Sequence, residues 1–113
     1  MDEERKTQLE YLDNNVFKGL QNLNTGFDAL SIKYFSEPDF KIVLNRIEDL
    51  GIGIHGIEPW YRGEFYDVLT MEDFNSNADS ARWYWKAFKK FTDLKKDLQY
   101  AATYDVPVEL LKK

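Results

Sequence analysis

The chain contains one histidine, His55, and any acid–base chemistry by an imidazole must be built on it. Such chemistry needs a carboxylate to orient the ring or a nucleophile for the ring to activate. Glu58, Tyr66 and Asp67 are the groups close enough in sequence to serve. A small-ligand or catalytic pocket would therefore be built from His55, Tyr66 and Asp67. Strict strand alternation works against this, because it sends His55 and Glu58 to opposite faces. His55 reads better as a structural histidine in a half-buried strand, and no catalytic residue is assigned. A metal centre drawn from His55, Glu58, Glu64 and Asp67 would have a single histidine and no cysteine, a poor set for zinc. The acids Glu64, Asp67, Glu72 and Asp73 lack the spacing of a calcium loop. No metal and no cofactor is expected. "GIGIHG", Gly51 to Gly56, superficially matches a dinucleotide fingerprint. That motif follows a strand and opens a helix, whereas here a helix precedes and a strand follows.

The neighbouring stretch "PWYRGEFY" carries different chemistry. Trp60, Tyr61, Arg62 and Phe65 are of the types favoured at the centres of protein interfaces, and form a candidate interaction surface. The competing reading has Trp60 and Tyr61 closing one end of the core while Arg62 and Gly63 complete a turn. Charge is also unevenly distributed. Between Glu58 and Asp79 Arg62 is the only base, and between Arg82 and Lys96 Asp93 is the only acid. A solvated basic helix face beside an acidic loop accounts for this, since exposed charge pairs contribute little.

The elements that must position these residues follow from periodicity. Leu9, Leu12, Val16, Leu20, Leu23, Phe27 and Leu30 form one helical stripe, which predicts a long first helix. Asn24 to Gly26 could break it, but the stripe runs through them. "SEPDF" starts a second helix, with Ser36 as N-cap, Pro38 in the first turn and Asp39 at the third position. Its core face is Phe40, Val43, Leu44, Ile47 and Leu50, and Gly51 ends it. Ile52 to Glu58 alternates as a strand, Pro59 to Gly63 turns, and "EFYDVLT" returns, which makes a β-hairpin. A last helix starts near Asp79 or Ser80, with Tyr84, Ala87, Phe88, Phe91, Leu94, Leu98, Ala101 and Ala102 as its apolar face. Pro107 prevents the last helix from continuing through the tail.

The expectation is therefore a single α+β domain over residues 1–113, mainly helical, in the order α-α-β-β-α. Long N- and C-terminal amphipathic helices pack with a short helix and an antiparallel hairpin. The 113 residues suffice for one core, and 43% hydrophobic with 31% charged residues is ordinary globular composition. No cysteine is present, which excludes disulfides and thiol chemistry. The acid-rich N-terminus does not resemble a secretory signal and no segment is long and apolar enough for a membrane span, so a cytoplasmic location and no membrane partner are expected. A net charge of −5 disfavours nucleic acid as a partner. Tyr11, Phe17, Tyr34, Phe35 and Trp85 fall off the main stripes, and covering them with a second copy would make a homodimer. The expected function is a non-enzymatic protein-interaction or regulatory module that self-associates. The alternative is a small-ligand-binding protein or small enzyme using the His55, Tyr66 and Asp67 pocket.

Overall fold

A computed structural model describes residues 2–112. Four α-helices, four strands and a 3-10 turn follow one another among the described residues: α1 (Glu3–Asn15), α2 (Glu37–Leu50), β1 (Gly53–Tyr61), β2 (Glu64–Phe65), β3 (Leu69–Thr70), the 3-10 turn (Met71–Phe74), α3 (Ala81–Leu94), β4 (Gln99–Asp105) and the short α4 (Val108–Leu111). Helices and an antiparallel four-stranded sheet make this an α+β fold, with β1 at the centre, β2 and β3 on one side and β4 on the other. The simple order α-α-β-β-α is corrected, because β4 and α4 follow α3 and the return strand of the hairpin is split in two.

The layer of α2 and α3 covers one face of the sheet. Ser36 caps α2 by accepting the Asp39 N–H, and Gly51 ends it in the left-handed conformation at φ 72°. Phe40, Val43, Leu44 and Ile47 are buried along α2, and Trp83, Tyr84, Ala87, Phe88 and Phe91 along α3. Tyr100 of β4 is fully buried between the two helices, stacked on Phe40 at 5.2 Å and meeting Phe88 edge-on at 5.1 Å. Burial of aromatics of this size supplies much of the apolar area a small domain needs. The helix α3 stops at Leu94, which is 58% exposed, and Asp97 takes a positive φ of 61°. The expected continuation through Leu98, Ala101 and Ala102 is instead β4. Tyr100, Ala102 and Tyr104 alternate with Ala101, Thr103 and Asp105, and tyrosine and threonine favour a pleated surface.

The long first helix is also corrected. α1 ends at Asn15, and residues 16–35 run as an irregular segment to the Phe35–Tyr100 bridge. Gly19 and Gly26 have φ of 83° and 111°, conformations that end a helix rather than continue it. Asn24 organises the segment: its side-chain Nδ2 donates to the carbonyls of Asp28, Ala29 and Ile32, and its Oδ1 accepts the Gly26 N–H. Arg46 of α2 holds the start of the segment by donating to the carbonyls of Val16 and Lys18, each at 2.8 Å. Apolar side chains read as a helical stripe are thus used at the ends of a loop, with Leu12 and Val16 buried and Leu30 left 76% exposed.

Two irregularities shape β1. The pairing with β4 shifts by one residue between Ile54 and Gly56, which leaves His55 as an extra, bulged residue. The bulge lets Ile54 and Ile57, three apart, both face the helices with no solvent exposure. The expected strict alternation over Ile52 to Glu58 is corrected accordingly. On the opposite side, the N–H groups of Tyr66 and Asp67 both donate to the Pro59 carbonyl. Proline has no N–H for a ladder bond, so a second bulge opposite it resolves a proline in a central strand. The turn shortens from Pro59–Gly63 to Arg62 and Gly63, both at positive φ, as a tight two-residue hairpin requires.

Candidate functional site

The sheet face away from α2 and α3 carries Glu58 and Trp60 of β1, covered by the segment 16–35. Tyr34 is fully buried there. Its hydroxyl lies 2.6 Å from Asp28 Oδ2 and 3.2 Å from Glu58 Oε2, and the Trp60 indole N–H donates to the same Glu58 oxygen at 2.7 Å. A hydroxyl has one proton, so Tyr34 donates to the nearer Asp28 while Glu58 is satisfied by the indole. Burial, with the two carboxylates beside it, raises the Tyr34 pKa far above the ordinary phenol value and keeps the phenol protonated. Phe27 packs between Tyr34 at 4.9 Å and Trp60 at 5.4 Å. This cluster pins the irregular segment to the sheet.

A groove of about 290 Å³ opens between that segment, α1 and β4. Arg5, Gln8, Leu9 and Leu12 of α1 form one wall, Ser31, Ile32 and Lys33 the other, and Ala101 to Tyr104 lie along it with Phe17 and Glu58. The backbone polarity of this wall follows from the ladder. The N–H and C=O of Tyr100 bond Phe35, so they point away from β1. Peptide groups of a strand alternate in direction, so those of Ala102 and Tyr104 point the same way, while Ala101 and Thr103 face β1 opposite Glu58 and Gly56. The Ile54 N–H, opposite Tyr104, bonds Ala78 instead, which fits this parity. No backbone or side-chain group among the described residues bonds the outward N–H and C=O of Ala102 or Tyr104. Unpaired sheet-edge groups are a ready template for another strand.

The edge is open because the chain turns away from it. With Phe35 opposite Tyr100, a straight continuation would set residue 33 opposite 102 and residue 31 opposite 104. Instead the Ile32 N–H bonds the Ala29 carbonyl, and Asn24 holds the Ile32 carbonyl. The side chains along the groove are mixed: an apolar strip from Leu9, Leu12 and Ile32, with Arg5 and Lys33 as the cations. Lys33 lies 3.8 Å from Asp13, and Arg5 has no ion-pair partner among the described residues.

The residues singled out by sequence fall elsewhere. His55 sits on the β1 bulge with its side chain 45% exposed, and its Nε2 lies 3.9 Å from Asp105. Tyr66 and Asp67 are on the second bulge, opposite Pro59, and Asp67 accepts the N–H of Val68. None of the three lines the groove. Of the candidate interaction residues, Trp60 belongs to the Tyr34 cluster, and the Tyr61 ring lies under Lys95 at 4.2 Å and Arg62 at 5.0 Å. Phe65 touches Trp60 at 6.3 Å between centroids and stays 56% exposed. The aromatics that argued for a second copy are largely covered within the chain: Phe17, Tyr34 and Phe35 are buried, and Trp85 donates its indole N–H to Glu48. The homodimer has no support from this surface. The groove residues were missed, and the signal available for them was the alternation of Tyr100, Ala102 and Tyr104.

Comparison of the chain with protein-family models, with curated proteins and with solved structures returns no match. No helix among the described residues is long and apolar enough to cross a membrane.

Proposed function

We propose that this chain is a non-enzymatic protein-interaction module whose binding element is the β4 edge, where an extended segment adds as a further strand. The observation that carries this reading is the row of outward peptide groups at Ala102 and Tyr104, lying along a groove rather than under a covering element. Strand addition draws affinity from main-chain hydrogen bonds and specificity from alternate side chains in flanking pockets. The Leu9, Leu12 and Ile32 strip is suited to the second task. Burial of Tyr34, and the many bonds of Asn24, favour a wall that is already in place before a partner arrives. Prior order of that kind lowers the entropy cost of binding.

Selection of displayed random peptides on the immobilised protein tests this. The expected result is enrichment of extended sequences whose binding slows amide exchange at Ala102 and Tyr104. Ala102→Pro removes an N–H that faces the groove and not β1, so it should abolish binding while circular dichroism stays unchanged. Enriched peptides that leave exchange at both amides untouched would refute the reading. Light scattering of the same samples reads self-association: a dimer that peptide dissociates would put a second copy in the groove.

A further inference from the structure

We infer that the groove takes an acidic extended segment of another protein, paired along β4 with a carboxylate beside Arg5 and Lys33. This rests on the strand-addition reading and adds the chemistry of the partner.

The charge around the open edge is opposite to that of the molecule. The chain has a net charge of −5, yet the groove walls carry Arg5 and Lys33 against one acid, Glu58. Glu58 is already engaged, since its Oε2 accepts the Trp60 indole N–H and sits beside the Tyr34 hydroxyl. Among the described residues the Arg5 guanidinium has no such engagement: the hydrogen bond of that residue is made by its backbone N–H to the Asp2 carboxylate. Lys33 is held only loosely by Asp13 at 3.8 Å, with its side chain partly buried and that of Asp13 half exposed. A carboxylate arriving on an added strand would find a guanidinium ready for a bidentate contact and an ammonium across the groove. A lysine or arginine on the same strand would be repelled by both. The exposed basic face of α3 offers charge without an unpaired strand edge, so pairing along β4 directs the acidic segment to the groove.

The geometry limits the segment to a short one. Antiparallel strands rise about 3.4 Å per residue, so the edge from Ala102 to Tyr104 pairs with a core of roughly three to five residues. Side chains of that segment alternate between the Leu9 and Ile32 strip and the opposite side, so the partner combines an apolar residue with an acid.

The experiment uses the full chain and three fluorescein-labelled peptides, each about eight residues long, in which valine alternates with glutamate, glutamine or lysine. Anisotropy titrations at low salt should give the glutamate peptide at least about tenfold tighter binding than the glutamine peptide, and none for lysine. That advantage should shrink at about 0.3 M salt, because the contacts lie at a solvent-accessible rim. The Arg5→Gln, Lys33→Gln double variant should bring the glutamate peptide to the level of the glutamine peptide measured on the same variant. A glutamate peptide N-methylated at alternate amides should lose binding to the unaltered protein. Equal affinity for glutamate and glutamine peptides would overturn the acidic preference and leave strand addition standing. Failure of all three peptides, or nuclear Overhauser contacts showing residues 31–33 paired with 102–104 in the free protein, would overturn both. Binding of a second copy that the glutamate peptide cannot displace would also overturn the inference.

Discussion

Tyr34→Phe isolates one hydroxyl in the cluster that fixes the groove wall. The ring stays, so its contacts with Phe27 at 4.9 Å and Trp60 at 5.6 Å survive and no cavity larger than an oxygen is made. What is lost is the 2.6 Å bond to the Asp28 carboxylate. Hydrogen bonds to charged groups contribute roughly 1.5–3 kcal/mol. A small gain opposes this loss, since the phenol oxygen faces Glu58 at 3.2 Å with no second proton to share, and Glu58 keeps its indole donor at 2.7 Å. The net expectation is a destabilisation of about 2 kcal/mol at neutral pH. With a urea m-value of about 1.5 kcal/mol/M, the midpoint should fall by roughly 1.3 M with m unchanged. Asp28→Asn completes a double-mutant cycle, and a coupling above about 1 kcal/mol assigns the effect to this pair. Amide exchange in residues 22–29 should quicken in the phenylalanine variant, because Asp28 lies in that segment. A midpoint shift below about 0.3 M, or zero coupling to Asp28, would show that the hydroxyl does not hold the segment and refute the reasoning.

The other expectations concern the core and its titration. Phe91, with no exposed surface, should cost about 3–5 kcal/mol on truncation to alanine, whereas Lys89→Ala on the exposed face should change stability by less than about 0.5 kcal/mol; chemical denaturation compares them, and equal effects would contradict the phase of α3. Tyr100→Phe should be neutral or stabilising by about 1 kcal/mol, because its buried hydroxyl has no hydrogen-bond partner among the described residues; a thermal midpoint lowered by several degrees would reveal a bond that the structure does not contain. Alkali should unfold the protein steeply. Burial raises the pKa of Tyr34, Tyr100 and Tyr104 well above the free-phenol range, and burial beside Glu48 and Asp49 pushes Tyr84 up to about 12. A raised folded pKa means that the stabilisation is complete below the unfolded value near 10 and is lost as pH climbs towards the folded value. Each such tyrosine withdraws about 1.4 kcal/mol per pH unit above roughly 10, and denaturation followed by phenolate absorbance should show a cooperative step; independent gradual ionisation without unfolding would refute the burial.

How much of the fold was readable depends on which residues had a local signature. Ser36, Pro38 and Gly51 mark α2 because caps act through groups one turn away, and no distant contact is needed to recognise them. The first helix failed for the opposite reason. Seven apolar residues at helical spacing are indistinguishable from a helix until Asn24 is known to bond Asp28, Ala29 and Ile32 across a loop. Asn24 to Gly26 was a visible terminator, outweighed by the stripe. Within β1, the alternation was right in kind and wrong in phase, because a bulge at His55 is decided by what β4 and the helices require of Ile54 and Ile57. Pro59 looked like a turn residue, and became a strand residue only because Tyr66 and Asp67 bulge opposite it.

The site was harder to read because it is made of backbone. Histidine, tyrosine and carboxylates attract notice since their side chains can do chemistry, and His55, Tyr66 and Asp67 were chosen on that ground. An open β-edge has no side-chain signature: Ala102 contributes a methyl group and two peptide dipoles. Carrying the last helix through Ala102 satisfies those dipoles internally and erases the site before it can be considered. Once the segment is a strand, a single contact determines the rest. The Phe35–Tyr100 bridge sets the outward parity of Tyr100, hence of Ala102 and Tyr104, and the turn at Ile32 carries the chain away from both. Helix or strand at Leu98 to Asp105 was therefore the decisive choice, with Tyr100, Ala102 and Tyr104 in alternation against Ala101 and Ala102 at helical spacing. Tyrosine at both ends of that alternation favours the strand, because its bulk packs well on a pleated surface and gains less in a helix.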